Sequence, residues 1–575
     1  MVVAALFGSS ALKVLAFGVA LLLGTPAALA QDGGGASAVP LAGRAEGAPV
    51  ERVDVVLVRG SENPARDGAA LARLRSGLQD LQGRPLSRAA LEARLAAARA
   101  KLGFGRIDWR LLDGEVPGRL VLRVELDTAS PGDLRAGAPG FPVLHQDGRS
   151  LLTAIVAGGF GLYADSYPWF GQPPLFTRGS PIAKRLPGAR PAWTEGFVEA
   201  GLGGAAQIGD SPFYAYGALT LLSAWSAGQD IYRDDGRFDT AVEKAYGGLL
   251  YVDPDTGSSM NVSAGRQNVT LNDGFLVHFV RGSSNIDQRA GLYLGPRNAN
   301  DFSVVIDGRH GPWTLKAFYI DPNELESLES FSTFAGLNIG HAVTPDLRVD
   351  GTLITIPQSQ SSYAVPGGVR LPREGLVTLA GHVRWDRAFG ISGLWLESEA
   401  AHQTHDRFDM SAWAAYGLVG YRAADLPWTP SLSYRQSRHS GDDPATARYE
   451  RFDPLLSTGL GNWLQGVTFG KIVSNSNLIV HRLQFNVTPV PTLHVTLDWH
   501  LLRAAERNNL GGNPALSQLS SADLGQEFTA TVRWAISRNL YLQSLASVAV
   551  PGRALRDLGA DEPWTSLQAS LYWNF

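Results

Sequence analysis

Ser566-Leu-Gln-Ala-Ser-Leu-Tyr-Trp-Asn-Phe575 stands at the C-terminal end, and its alternation decides the fold. Leu567, Ala569, Leu571, Trp573 and Phe575 share one face; Ser566, Gln568, Ser570, Tyr572 and Asn574 share the other. A period of two marks a β-strand, whose successive side chains point to opposite sides. The period recurs in Phe528, Ala530, Val532, Trp534 and Ile536, opposite Glu527, Thr529, Thr531 and Arg533. It recurs again in Leu493, Val495, Leu497, Trp499 and Leu501, opposite His494, Thr496, Asp498 and His500. A fourth instance is Val377, Leu379, Gly381, Val383 and Trp385, opposite Thr378, Ala380, His382, Arg384 and Asp386.

Two folds make such strands. A soluble sandwich turns the apolar face inward; a transmembrane barrel turns it outward to lipid and keeps the polar face for a lumen. The barrel is the expectation for residues 128–575, on three grounds. A secretory signal precedes it. Its last strand carries Tyr572, Trp573 and Phe575, like the terminal signal read by the barrel-assembly machinery. Trp385, Trp499, Trp534 and Trp573 are expected near strand ends, where interfacial girdles form. The segment shows no amphipathic helix and about eighteen alternating runs, with sixteen also compatible. The expected class is therefore mainly β, a transmembrane antiparallel β-barrel with a small N-terminal α/β domain. Candidate turns are 253–257, 344–346 and 537–539, and candidate long loops are 168–191 and 437–464.

The chain has 575 residues, 45% apolar and 18% charged, which is too polar for a bundle of membrane helices and too apolar for disorder. It has no cysteine, so disulfides, thiolate metal sites and cysteine nucleophiles are excluded. A net charge of −4 gives no global basic field for nucleic acid. Lys13, the apolar run Val14 to Leu23 and Ala28-Leu-Ala30 read as a signal peptide over residues 1–30. Residues 31–49 read as a flexible Gly/Ala-rich leader.

Residues 50–127 have a different grammar. Val53, Val55 and Leu57 form a strand; Leu71, Leu74, Leu78 and Leu81, then Leu91, Leu95 and Leu102, recur at helical spacing; Ile107 to Leu112 and Leu120 to Leu126 are two more strands. This β-α-α-β-β segment resembles a POTRA domain, on Leu81-Gln-Gly-Arg-Pro-Leu86, the leucine-rich second helix and Gly103-Phe104. The resemblance implies a strand edge offered to a periplasmic export or synthase partner.

Arg448-Tyr-Glu-Arg-Phe-Asp-Pro-Leu-Leu456, following Ser440-Gly-Asp-Asp-Pro444, resembles the alginate-export family of outer-membrane barrels. So do Gly265-Arg-Gln267, Leu524-Gly-Gln-Glu-Phe528 and Val550-Pro-Gly552. The resemblance spans Glu195 to Phe575 and implies an eighteen-stranded pore through which an anionic exopolysaccharide leaves by diffusion. The alternative is a protein-translocating barrel of the two-partner-secretion and barrel-assembly type. Its Val-Arg-Gly-Phe/Tyr element is matched only by Val58-Arg-Gly60 and by Val280-Arg-Gly282, which is early in the barrel and lacks the aromatic.

The lumen candidates are basic residues. Alternation turns Lys316, Arg348, Arg384, Arg435, Arg482 and Arg533 inward, and Arg266 follows an early strand. Asp350, Asp386, Glu397, Glu399, Asp498 and Glu527 turn inward too. Residues 50–127 hold 14 basic and 11 acidic side chains, residues 31–49 are net −1, and cleavage removes Lys13; the whole-chain charge of −4 thus leaves −7 on residues 128–575. A mixed lumen focuses less field on a polyanion than a basic one would, so the expected cargo is a polysaccharide or similar large polar solute.

No catalytic residue, cofactor or metal is expected. There is no Gly-x-Ser-x-Gly elbow and no Walker motif. His402 and His405 face opposite sides of an extended run, unsuited to a shared metal. Asp498 and His500 share a face and read as a hydrogen-bonded lumen pair; Asp253-Pro-Asp255 reads as a turn.

Overall fold

The computed structural model describes residues 49–59, 64–87, 90–95, 98, 106–113, 120–127, 141–147, 149–169, 190–231, 235–253, 256, 258–278, 289–294, 297–326, 329–457 and 461–575. The signal and leader over 1–48, Gly103-Phe104, Val280-Arg-Gly282 and most of 168–191 and 253–257 lie outside them. The chain divides into two compact units, 36–154 with 204–207 and the remainder.

In the smaller unit β1 (Val50–Arg59) is followed by α1 (Pro64–Leu78), a helical run over 90–95, β2 (Arg106–Asp113) and β3 (Leu120–Asp127). The sheet order is β1-β3-β2, with β1 parallel and β2 antiparallel to β3. Leu74, Leu78, Leu91, Leu95, Leu122 and Val124 are buried together, so both helical runs lay their leucines on one sheet face. Within Leu81-Gln-Gly-Arg-Pro-Leu86, Gly83 takes φ +79 and donates to the Val50 carbonyl at 2.7 Å. β4 (Val143–Gln146) pairs with the start of β5 (Ser150–Ser166).

The remaining strands form a closed barrel. They are β6 (Ala192–Gln207), β7 (Phe213–Gly228), β8 (Arg237–Val252), β9 (Ser259–Arg266), β10 (Phe302–His310), β11 (Trp313–Asp321), β12 (Thr333–Thr344) and β13 (Leu347–Gln358). A small hairpin follows, β14 (Ser362–Ala364) with β15 (Arg370–Pro372). The ring resumes with β16 (Leu376–Asp386), β17 (Leu394–His405), β18 (Ala412–Arg422), β19 (Ser431–His439), β20 (Leu478–Val490), β21 (Leu493–Ala504), β22 (Asp523–Ala535), β23 (Leu540–Pro551) and β24 (Trp564–Asn574). Each strand pairs with the next, and β24 closes on β5 with Thr565 opposite Ser166 and Trp573 opposite Gly158. With β4 outside the closure, the ring is the eighteen-stranded form.

Exposure is inverted relative to a soluble protein. Along β16, Leu379 and Val383 are 59% and 40% exposed, while Thr378 and His382 are 0% and 6% exposed. The same holds for Leu432 against Ser431 and Arg435, Leu497 against Thr496 and His500, and Trp534 against Thr531. An apolar outer surface with polar side chains inside is stable when the outer solvent is hydrocarbon, and closure leaves no unpaired edge there. No helix among the described residues is long and apolar enough to cross a membrane. Trp385, Trp534 and Trp573 sit near strand ends as expected. Trp499 does not: it lies midway along β21, with its indole donating to Gln526 at 3.1 Å.

One end of the barrel has short turns, among them 311–312, 345–346 and 491–492. The other carries the long connections, 267–301 between β9 and β10 and 440–477 between β19 and β20. The expected loop 437–464 differs from the structure at both ends. Ser437 and His439 complete β19, and the connection runs on to residue 477.

Two glycines set the strand spacing. Gly265 has φ +123, and a Cβ there would collide with the Ala245 carbonyl oxygen. Gly525 has φ +132, and a Cβ there would collide with the Val550 oxygen. Both belong to the family-like elements, and only glycine fits them.

Candidate functional site

The lumen is crossed by the two long connections. Asp453 of 440–477 is gripped at one side of the barrel. It accepts from Arg373 at 2.7 and 2.8 Å and from the Tyr363 hydroxyl at 2.8 Å, while its own N–H donates to Gln403 of β17 at 2.8 Å. Burial opposes ionisation of Asp453, but Arg373 outweighs it and holds the carboxyl below the ordinary range. Burial and Asp453 together push the Tyr363 hydroxyl up. Farther along, Trp463 packs under the Arg435 guanidinium at 4.0 Å. At the far side Lys471 meets Asp165 of β5 at 3.0 Å, and Phe469 packs against Trp169.

The second connection comes in from β9. Phe275 stacks edge-on against Tyr416 of β18 and packs against Trp463, and Val277 bridges Leu456. The two loops therefore meet inside the barrel, with an apolar seam of Leu271, Phe275, Val277, Phe452, Leu456 and Trp463.

Wall carboxylates fasten the loop backbones. Glu195 of β6 accepts the N–H groups of Leu292, Tyr293 and Leu294 at 2.6 to 2.8 Å. Glu243 of β8 accepts those of Asn298 and Ala299. Glu527 of β22 accepts those of Val467, Thr468 and Phe469. Charge-assisted bonds to main-chain N–H are about twice as strong as neutral ones, so these three acids serve as clamps.

Toward the short-turn end the loops leave a cavity of about 580 Å³. Its wall comes from β9 to β17, and Asn272 and Asp273 of the β9–β10 loop also line it. Lys316, Arg348 and Arg384 line it together, each beside a carboxylate: Lys316 with Asp307 at 2.7 Å, Arg348 with Asp350 at 2.6 Å, Arg384 with Glu397 at 2.7 Å. His382 bridges Asp350 and Glu397 at 3.1 and 3.2 Å. Asp273 faces Glu397, Arg435 and the Tyr416 hydroxyl; burial first, and then Glu397, push its carboxyl up.

The other expected residues are scattered. Arg266 ends β9 in an ion pair with Asp301. Arg482 pairs with Asp498 at 2.8 Å, so Asp498 is an acceptor for arginine and not a partner of His500. Arg533 lies exposed near the short-turn end, donating to Gln543 at 3.0 Å. Tyr572 and Trp573 seal the ring against Gly159 and Gly158, and the Phe575 N–H donates to the Val156 carbonyl at 2.9 Å. Glu195, Glu243 and Asp453 were not among the expected lumen residues, and Glu527 was expected only as an inward-facing acid, not as a clamp. The available signal was an acid inside two of the family-like elements: Asp453 in Arg448 to Leu456, and Glu527 in Leu524 to Phe528.

An inside-out closed barrel with a polar, loop-crossed lumen defines an outer-membrane channel, with its outer face in lipid. The alginate export family model matches residues 233–562, more than half of the chain, and the chain belongs to that family. It is therefore an outer-membrane pore for polysaccharide. Solved structures with a similar course include CdiB from Acinetobacter baumannii, at 9% identity over 92% of this chain and 74% of that one, TM-score 0.34. Others are OccAB2 from Acinetobacter baumannii, at 10% identity over 73% and 98%, TM-score 0.45, and OccK3 (OpdO) from Pseudomonas aeruginosa, at 12% over 73% and 95%, TM-score 0.42. These likenesses are too distant to carry detail from one chain to another. No curated protein matches the chain in sequence.

Proposed function

We propose that the chain passes a polar polysaccharide of low net charge by diffusion through the lumen, with no catalytic step. The observation that carries this reading is the pairing of the lumen bases. Of the seven expected lumen bases, Lys316, Arg348, Arg384, Arg266 and Arg482 each have a carboxylate at salt-bridge distance; among the described residues Arg435 and Arg533 have none, Arg435 lying over the Trp463 ring, so the field left to hold a polyanion is reduced. Paired charges still offer donors and acceptors to sugar hydroxyls at many weak sites, which suits sliding. The two lumen loops make the passage a restricted one. The segment 50–127 is proposed to dock a periplasmic export or synthase partner that delivers the polymer, and 128–575 to be the conduit.

Single-channel recording in planar bilayers tests the reading. Neutral and acidic oligosaccharides of equal length should block the current to similar extents. A strong preference for the acidic series contradicts the low-charge cargo, and no block by either contradicts saccharide passage.

A further inference from the structure

The outward face is apolar around most of the barrel, and it departs from that over β19 to β22 at the long-loop end. Here Gln436 and Arg438 of β19 point outward, alternating with the buried Arg435, Ser437 and His439. The register places Arg438 opposite Ile479 and Ile479 opposite Arg503, so both arginines stand at one height, two strands apart. With strands about 4.8 Å apart, that is roughly 10 Å. Two residues lower, Gln436, His481, Leu501 and Gln526 form a second outward row.

Arg438 and Arg503 are exposed, and neither forms an ion pair among the described residues. The register neighbour of Arg503 is Asp523, whose carboxylate accepts from the Arg553 N–H at 3.0 Å. Aromatic side chains frame the patch. Arg438 lies over the Trp413 ring at 5.2 Å, the Tyr434 hydroxyl meets His481 at 2.7 Å, and Trp499 holds Gln526. Below it the outward face returns to Leu432, Leu483, Phe485 and Leu497.

An arginine facing hydrocarbon is costly at the bilayer centre and nearly free at headgroup depth. Two unpaired guanidiniums at the rim, with polar groups just beneath and apolar strands below, match a headgroup bearing phosphate above acyl chains. The long-loop end faces outward in barrels of this class, so the leaflet is the outer one. We propose that this patch docks the phosphorylated headgroup of an outer-leaflet lipid, its phosphate held between Arg438 and Arg503. Guanidinium presents a planar fork of donors to phosphate, which makes arginine the fitting residue type.

The full chain, stripped of lipid in mild detergent, would be titrated with a bisphosphorylated, acylated glucosamine disaccharide and with its dephosphorylated analogue, followed by native mass spectrometry. The phosphorylated probe should bind at least about tenfold more tightly. The double variant Arg438→Ala/Arg503→Ala should abolish that preference, and Arg438→Lys/Arg503→Lys should keep part of it. Inorganic phosphate at equal concentration should not compete, since it lacks the acyl chains. Heat-modifiable gel mobility would confirm a folded barrel in each variant. Equal binding of the two probes, unchanged binding by the alanine variant, or full competition by inorganic phosphate would overturn the proposal. So would a dimer that the alanine variant dissolves, because the patch would then meet a second copy.

Discussion

Gly525 shows how one residue fixes the wall. Its φ is +132, and the Val550 oxygen stands so close to its Cα that a methyl group has no room. Gly525→Ala should cost about 1–3 kcal/mol in strain, read as a lower urea midpoint for the folded barrel in detergent. Asp453 is the matching case inside. Asp453→Asn strands the buried Arg373 without its counter-charge, a loss of about 3–5 kcal/mol. Hydrogen exchange should locate it in 440–457, and an unchanged exchange pattern would refute the clamp. Neither role was legible from one sequence. The alternation says which way a strand residue points, but an acid in an irregular loop carries no period to read. The family-like string around Phe452 and Asp453 marked the place and not the partner, because Arg373 and Tyr363 are 80 and 90 residues away in sequence.

At the scale of elements, the two lumen loops should answer acid in opposite ways. The Asp453 carboxyl is depressed in the folded state. Its stabilisation is present above the unfolded value of about 3.9 and is lost as pH falls through the lower folded value. The Asp273 carboxyl is raised by burial and by Glu397. Its contribution is present below the unfolded value and is lost as pH rises through the raised one. Limited proteolysis from pH 7 to pH 3 should therefore find 440–457 more open in acid and 267–278 more closed. Both loops loosening together would contradict the assignment. Glu527→Gln should weaken the grip on Val467 to Phe469 by about 1–3 kcal/mol and raise channel noise; deleting 440–477 should raise conductance several-fold. Strand placement was the legible part of this scale, since the alternation of Leu567 to Phe575 and its repeats assigns each strand residue a face. The loops were less so. Phe275, Trp463 and Phe469 are apolar residues in turn-rich stretches, and only packing against Tyr416, Arg435 and Trp169 explains them.

For the whole molecule, the ring of eighteen strands, the inverted exposure and the paired lumen charges belong together. Lipid outside demands an apolar coat and closed edges; water inside allows charges, which neutralise one another at 2.6 to 2.8 Å. Reversal potentials in a salt gradient should accordingly show weak ion selectivity, and Asp307→Asn/Asp350→Asn should shift it toward anions. All of this rests on the sidedness of the strands, and the absence of native cysteine makes that sidedness directly measurable. Single cysteines would be placed at the outward Leu379, Val383 and Leu497, and at the cavity-lining Lys316, Arg348 and Arg384, in the folded barrel in vesicles. A water-soluble maleimide should label the second set, and only a lipid-partitioning reagent the first. The reverse pattern, or equal labelling of the two sets, would contradict that sidedness.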